Sequence, residues 1–180
     1  MLQIEVPAGE FWDEKSNQFV NTKATTLTLE HSLVSLSKWE SKWCKPFLTK
    51  EEKTTAEILD YIKCMTLTQN VDPNIYMALS NDNIEQIKNY INHPHTATTI
   101  KEDPSAPKTH EVITSELIYY WMIALNVPVE FQKWHLNRLL TLIKVCNVKN
   151  APPKKMSQRQ LMSRNAALNA ARRQKLHSKG

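Results

Sequence analysis

The residues that most often carry chemistry are few and widely separated in this 180-residue chain. Its three cysteines, Cys44, Cys64 and Cys146, lie far apart and form no CxxC pair. An odd number at this spacing indicates reduced thiols in a cytoplasm, because disulfide frameworks use paired cysteines in oxidising compartments. We therefore expect the three thiols to be buried small hydrophobic residues and not nucleophiles.

Histidine and glycine content argue against metal and nucleotide sites. Only His93 and His95 lie close together, and with Pro94 between them and no cysteine or carboxylate nearby they favour a solvated turn over a metal site. The chain has two glycines, Gly9 and Gly180, whereas phosphate-binding loops and nucleophile elbows need glycine for close backbone approach. We predict no catalytic residue, no metal, no cofactor and no enzymatic activity.

The positive charge is concentrated at the end of the chain. Residues 151–180 hold eight of the 23 basic residues and no acidic residue, so this segment carries +8. The remaining 15 basic and 18 acidic residues give residues 1–150 a charge of −3. Such a basic segment favours binding to an acidic protein, and its charge also leaves nucleic-acid contact open.

The elements that surround these residues are predicted from hydrophobic periodicity. Residues 2–6, 18–22 and 25–29 alternate or are rich in β-branched residues, with turns at 7–9 and 15–17, which predicts a small antiparallel sheet or hairpin. Helical spacing begins at His31 and ends near Pro46. A Thr49–Glu52 capping box predicts a second helix, Asp72-Pro73 a short third, and Ser80 or Asn81 a fourth.

The most apolar helices are predicted after a long loop at residues 92–113. Thr114 to Glu116 begin one helix, and Val127-Pro128 ends it and opens another. These two helices are expected to supply the main core, through Trp121, Leu125, Leu139, Leu140 and Ile143. Pro152 and Pro153 then separate a last helix, for which Ser157 and Gln160 form a capping box.

The fold class that follows is α+β and mostly α, with a small N-terminal antiparallel hairpin or sheet, a helical bundle and a basic C-terminal helical tail. The domain prediction is a β-rich segment at 1–30, a helical core domain at 31–150 and a basic arm at 151–180. No apolar run is long enough for a membrane span, and residues 1–6 lack the features of a signal peptide. We expect no membrane association and a soluble protein that stays in the cytoplasm where it is made.

Partner binding is the remaining class of function. The five tryptophans exceed the usual share, and Trp39 and Trp43 lie one helical turn apart, a spacing that favours a core or subunit contact over base stacking. The candidate partner-binding residues are these two tryptophans and the arginines of the arm, Arg159, Arg164, Arg172 and Arg173.

Several segments together resemble a known class of proteins. They are LEHSL at 29–33, SKWESKW at 37–43, WHLNRLL at 134–140 and RNAALNAARR at 164–173. They look like small structural or assembly proteins of long-tailed bacteriophages, and most of all like tail assembly chaperones. The resemblance implies a non-enzymatic protein of the host cytoplasm that binds the phage tape-measure protein, or another tail or virion protein, during tail morphogenesis.

Two alternatives stay open beside the chaperone. The first is a structural virion component, such as a connector, a tail-completion subunit or a capsid-associated subunit, which would remain in the particle. The second is a nucleic-acid-binding protein, for which the arginines of the arm give weaker support. The sequence does not decide between a monomer and a homo-oligomer.

Overall fold

The protein is described by a computed structural model that covers residues 1–13, 17–100, 111–152 and 158–177. It is α+β and mostly α, as the sequence predicts. The chain divides into two compact units: Met1–Val148, which we call the body, and Lys149–Gly180, which contains the basic arm. In the described residues no helix has both the length and the apolar character that a membrane crossing requires.

The N-terminal strands form two nested antiparallel pairs. Strand β1 (Leu2–Val6) pairs with β4 (Thr25–Leu29), and β2 (Gly9–Asp13) pairs with β3 (Gln18–Thr22). The predicted turn at 7–9 is one residue too long, because Gly9 already pairs with Thr22 in β2. Residues 15 and 16 of the second predicted turn lie outside the described residues. Alternation places Ile4, Val6, Leu27 and Leu29 on one buried face.

Three α-helices follow, each begun by a capping side chain. Helix α1 (Leu33–Trp43) is capped by Ser32, α2 (Thr55–Met65) by Thr54 and α3 (Asn81–Asn92) by Ser80. A 3₁₀-helix, Pro73–Met77, lies between α2 and α3 and is capped by Asp72. The prediction that Thr49 caps the second helix is wrong, because the later capping box of Thr54 and Glu57 begins that helix.

The second half of the body contains two more α-helices. Helix α4 (Ser115–Ala124) is capped by Thr114, a 3₁₀-helix spans Val129–Lys133, and α5 (Leu136–Asn150) follows. In the arm, α6 spans Gln158–Leu176. The predicted cap Ser157 and residues 101–110 of the predicted loop lie outside the described residues.

Buried apolar side chains form two clusters. The first cluster joins the β1–β4 sheet to α1, α2 and α3, with Trp39, Ile62 and Ile87 among its members. The second cluster joins Leu33 and Leu36 of α1 to α4 and α5. The predicted core residues all belong to the second cluster, but only Leu139 and Ile143 are buried there, whereas Trp121, Leu125 and Leu140 are partly exposed. The larger first cluster was not predicted as the main core.

Candidate functional site

Trp39 is a core residue and not a surface contact. Its side chain is 1% exposed, and its indole N–H donates to the carbonyl oxygen of Glu57 at 2.9 Å. Of the two contacts that its helical spacing favours, core or subunit, Trp39 makes the core contact, because its side chain packs in the first cluster. Its ring stacks on that of Trp43, with centroids 6.1 Å apart.

Trp43 retains a partly exposed ring at the end of α1. Its indole N–H donates to Asp60 Oδ2 at 2.9 Å, and the same carboxylate forms an ion pair with Lys42. The pKa of Asp60 is lowered: burial opposes the shift, but the hydrogen bonds from Lys42 and Trp43 outweigh it. Of the two tryptophans, only Trp43 is thus partly exposed to solvent.

Two buried carboxylates hold the loops around α1. Glu40 accepts hydrogen bonds from the backbone N–H of Phe47 at 2.8 Å and of Ser115 at 2.7 Å, so it ties the end of α1 to the start of α4. Glu57 accepts a hydrogen bond from the backbone N–H of Thr54 in the capping box of α2 and pairs with Lys45. The hydrogen bond from Lys45 is the main cause that lowers the pKa of Glu57 to about 2. The hydrogen bonds and the ion pair of Glu40 and Glu57 thus stabilise helix ends and loops of the body.

Four histidines, which we call the histidine cluster, meet between the two apolar clusters: His31, His93, His95 and His135. The ring centroids of His31 and His135 lie 5.1 Å apart, and those of His95 and His135 lie 4.0 Å apart. His31 follows β4, His93 and His95 follow α3, and His135 precedes α5. The histidines are scattered in the sequence, and these segments meet only in the fold.

The backbone at the histidine cluster links the two halves of the body. The N–H of Leu136 donates to the carbonyl oxygen of His31 at 2.7 Å, and Ser32 forms an isolated β-bridge with His135. The cluster therefore fastens the first residue of α5 to the segment between β4 and α1.

Hydrogen bonds fix the neutral form of His135. Its Nε2 lies 3.1 Å from the carbonyl oxygen of Tyr90, which can only accept, so Nε2 carries the hydrogen. Its Nδ1 accepts from the backbone N–H of Asn137 at 3.3 Å. Burial and the nearby His95 ring lower the pKa of His135 to about 4. A proton added at Nδ1 would remove the bond to Asn137.

Burial also lowers the pKa of two other members of the cluster, His31 and His95. A 2.6 Å hydrogen bond joins His31 Nδ1 to the hydroxyl of Tyr61, and burial, followed by the rings of His135 and His95, lowers the pKa of His31 to about 3. Burial also lowers the pKa of His95, whose Nε2 is the one buried side-chain polar atom without a hydrogen-bond partner in the described ranges.

An acidic residue and a terminal amine lie beside the cluster. Glu30 accepts a hydrogen bond from the hydroxyl of Tyr90 at 2.8 Å and pairs with the amino group of Met1 at 3.0 Å. Burial, and then Glu30, raise the pKa of Tyr90. The described residues contain no group of three or more histidine, cysteine, aspartate or glutamate side chains that is arranged to hold a metal ion.

The three thiols are spread over the body. Cys44 is exposed, and Cys64 and Cys146 are half-buried; all three are free. The expectation of burial is thus wrong for Cys44, which ends α1 in a left-handed conformation with a φ of 52°. Burial, followed by Asp60, raises the pKa of Cys64, which favours the thiol over the thiolate.

All four predicted arginines of the arm lie on α6. This helix has 19 residues, none of them buried, and none of them acidic. Leu161 and Leu168 are seven residues apart and so lie on one side of the helix, and Arg164 and Arg172 lie one turn before and after Leu168. The helix thus places positive charge beside exposed apolar groups.

The chain was compared with known families, curated proteins and solved structures. No family model matches it, and neither a curated protein nor a solved structure is significantly similar to it.

Proposed function

We propose that this protein is a non-enzymatic assembly protein that binds an acidic partner protein through its basic arm, residues 151–180. The resemblance of its sequence segments to tail assembly chaperones makes the phage tape-measure protein the proposed partner, bound in the host cytoplasm during tail morphogenesis. The observation that carries the proposal is α6, a long helix with five basic residues, no acidic residue and no buried residue.

The physical argument concerns what stabilises this helix. An isolated helix of this length is marginal in water, because nucleation is costly and most helices in proteins gain stability from packing. Leu161 and Met162 are 43% and 65% exposed, and Leu168 is 46% exposed. A partner that covers these side chains would supply the missing packing, and carboxylates on that partner would pair with the arginines beside them.

The first test is binding of the tape-measure protein to the full-length chain and to a truncation that ends at residue 150. We expect the full chain to bind and the truncation to bind at least tenfold more weakly, while the melting temperature of the body changes by only a few degrees. We also expect the affinity to fall as salt concentration rises. Binding that is insensitive to both truncation and salt would contradict the proposal.

A charge variant separates the role of the arginines from that of the helix. Arg159, Arg164, Arg172 and Arg173 are changed together to Gln, which keeps a high helix propensity. The matched control changes four exposed lysines of the body to Gln: Lys23, Lys38, Lys50 and Lys133. Both variants lose the same total charge, so they differ only in where the charge is lost. We expect only the arm variant to lose affinity.

Purified particles distinguish the chaperone from a structural virion component. A chaperone leaves the assembled tail, so we expect the protein in infected-cell lysate in complex with the tape-measure protein and not in mature particles. Stoichiometric amounts in mature particles, measured by mass spectrometry, would support the structural alternative instead.

A further inference from the structure

The body carries an apolar cleft that none of the functions considered above uses. It has a volume of about 150 Å³ and lies between α2 and α3. Seven of its nine lining residues are isoleucine or aromatic, and the other two are lysines. A space of this size accommodates one apolar group of roughly the size of benzene.

The walls and the floor of the cleft are formed by side chains that have few rotamers or fixed contacts. Ile58 and Ile62 of α2 face Ile84, Ile87 and Ile91 of α3 across it, and β-branched isoleucine has few rotamers in a helix. Phe47 and Tyr61 line it as a stacked pair, with ring centroids 3.8 Å apart. Tyr61 is further fixed by its hydrogen bond to His31. A pre-organised apolar cleft binds with a smaller loss of conformational entropy.

The charge at the rim identifies the kind of partner. Lys53 precedes α2, and its Nζ lies 4.8 Å from the centroid of the Phe47 ring; Lys88 stands on α3. Among the described residues Lys88 has no ion-pair partner, and none of the residues that line the cleft is acidic. This positive rim contrasts with the charge of −3 over residues 1–150.

We infer that the cleft between α2 and α3 binds one apolar side chain of an acidic helical segment on a partner protein, with carboxylates of that segment paired to Lys53 and Lys88. The inference does not depend on the basic arm. A basic occupant, such as α6 of a second copy, would be repelled by the two lysines, so charge complementarity selects an acidic segment. Burial of Ile58, which is 37% exposed, adds apolar contact area.

The test uses a synthetic helical peptide of alanine and glutamate with a single leucine at its centre, titrated into full-length protein labelled at isoleucine δ1-methyl groups. We expect saturable chemical-shift changes at Ile58, Ile84 and Ile91, and none at Ile118 and Ile143 of the second cluster. The same peptide with alanine in place of leucine is expected to bind at least tenfold more weakly, and one with lysine in place of glutamate is expected not to bind.

A matched pair of variants locates the site. Ile58→Glu places a carboxylate in the cleft, and Ile123→Glu makes the same change on α4, where Ile123 is 76% exposed. We expect only Ile58→Glu to abolish peptide binding. Lys88→Glu provides a second variant on an exposed side chain, with Lys133→Glu as its control. It is expected to weaken binding at least fivefold without a change in melting temperature.

Three outcomes would overturn the inference. The leucine and alanine peptides could bind equally, the shifts could extend to Ile118 and Ile143, or Ile58→Glu and Lys88→Glu could bind as their controls do. Sedimentation of the free protein tests whether a second copy of the chain occupies the cleft instead. A dimer that Ile58→Glu converts to a monomer would assign the cleft to self-association and overturn the inference. Because the peptide contains no tape-measure sequence, failure here leaves the test of the basic arm unaffected.

Discussion

Helices α5 and α6 are the two longest helices of the chain, and they differ in what stabilises them. Helix α5 buries Leu136, Leu139 and Ile143, which recur at three- and four-residue spacing and pack in the second cluster. Helix α6 is four residues longer and buries none of its side chains. Its residues are instead rich in alanine, leucine, glutamine and arginine, which have the highest intrinsic helix propensities.

The difference shows that helix formation and a contribution to the core are separate properties of a sequence. A run of strong helix formers can form a helix without a buried face, but that helix then has little packing to stabilise it. In this chain α5 has buried side chains, whereas α6 has none and carries five basic residues.

The largest expected effect comes from a matched pair of leucine substitutions. Leu139 is fully buried in the second cluster, so Leu139→Ala should lower the free energy of unfolding of the body by about 2–5 kcal/mol. Leu168 is exposed on α6, and Leu168→Ala should change the free energy of unfolding of the body by less than about 0.5 kcal/mol. Urea unfolding of both variants measures the contrast, and equal effects would show that α6 packs as α5 does.

The next effect is the loss of stability in acid, which arises in the histidine cluster. In the unfolded chain His31 and His135 bind protons below their ordinary pKa of about 6.5. In the folded body their pKa values are about 3 and 4, so there they remain neutral at pH 5. The unfolded state binds more protons than the folded state between pH 7 and pH 5. The free energy of unfolding therefore decreases as the pH is lowered from 7 to 5, by about 2 kcal/mol for each histidine.

Urea unfolding at pH 7, 6 and 5 checks this pH dependence. His135→Asn should roughly halve the slope in this range, whatever it does to stability at pH 7. The truncation that ends at residue 150 should keep the full slope, because both histidines lie in the body. A truncated protein without pH dependence would place the acid sensitivity in the arm.

The smallest expected effect is confined to the arm. Ala170→Gly should destabilise α6 by about 1 kcal/mol, because glycine loses more backbone entropy than alanine and the exposed Ala170 side chain buries little apolar surface. Amide hydrogen exchange of α6 in the full-length chain should then be about fivefold faster. Asn169→Ala is the matched opposite and should slow exchange. Neither change should alter the unfolding of the body.

The fold was largely predictable where local signals determine it. Ser80, Asp72 and Thr114 are caps because a side-chain oxygen satisfies backbone N–H groups within three residues, which sequence spacing alone reveals. Two capping boxes compete before α2, and local rules do not choose between them. The second prevails where Glu57 also pairs with Lys45 and its carbonyl accepts from Trp39, and both contacts are tertiary.

The candidate sites were less predictable because they join distant segments. Periodicity identifies which residues of α2 and α3 are apolar, but the cleft depends on how far apart the two helices lie. The histidine cluster unites three segments with no shared motif, so no spacing in the sequence announces it. The arm was identified from its charge and from the Pro152-Pro153 pair before it, and neither signal requires tertiary information.

The hydrogen bond between the Leu136 amide and the His31 carbonyl has a consequence for the order of folding. It joins residues about 100 positions apart, so closing this contact costs about 1–3 kcal/mol more in loop entropy than closing the nested hairpins near the N-terminus. During synthesis the strands and helices α1 to α3 emerge first and can assemble the first cluster on their own. The side chains of Leu33 and Leu36 then stay exposed to solvent until α4 and α5 have left the ribosome.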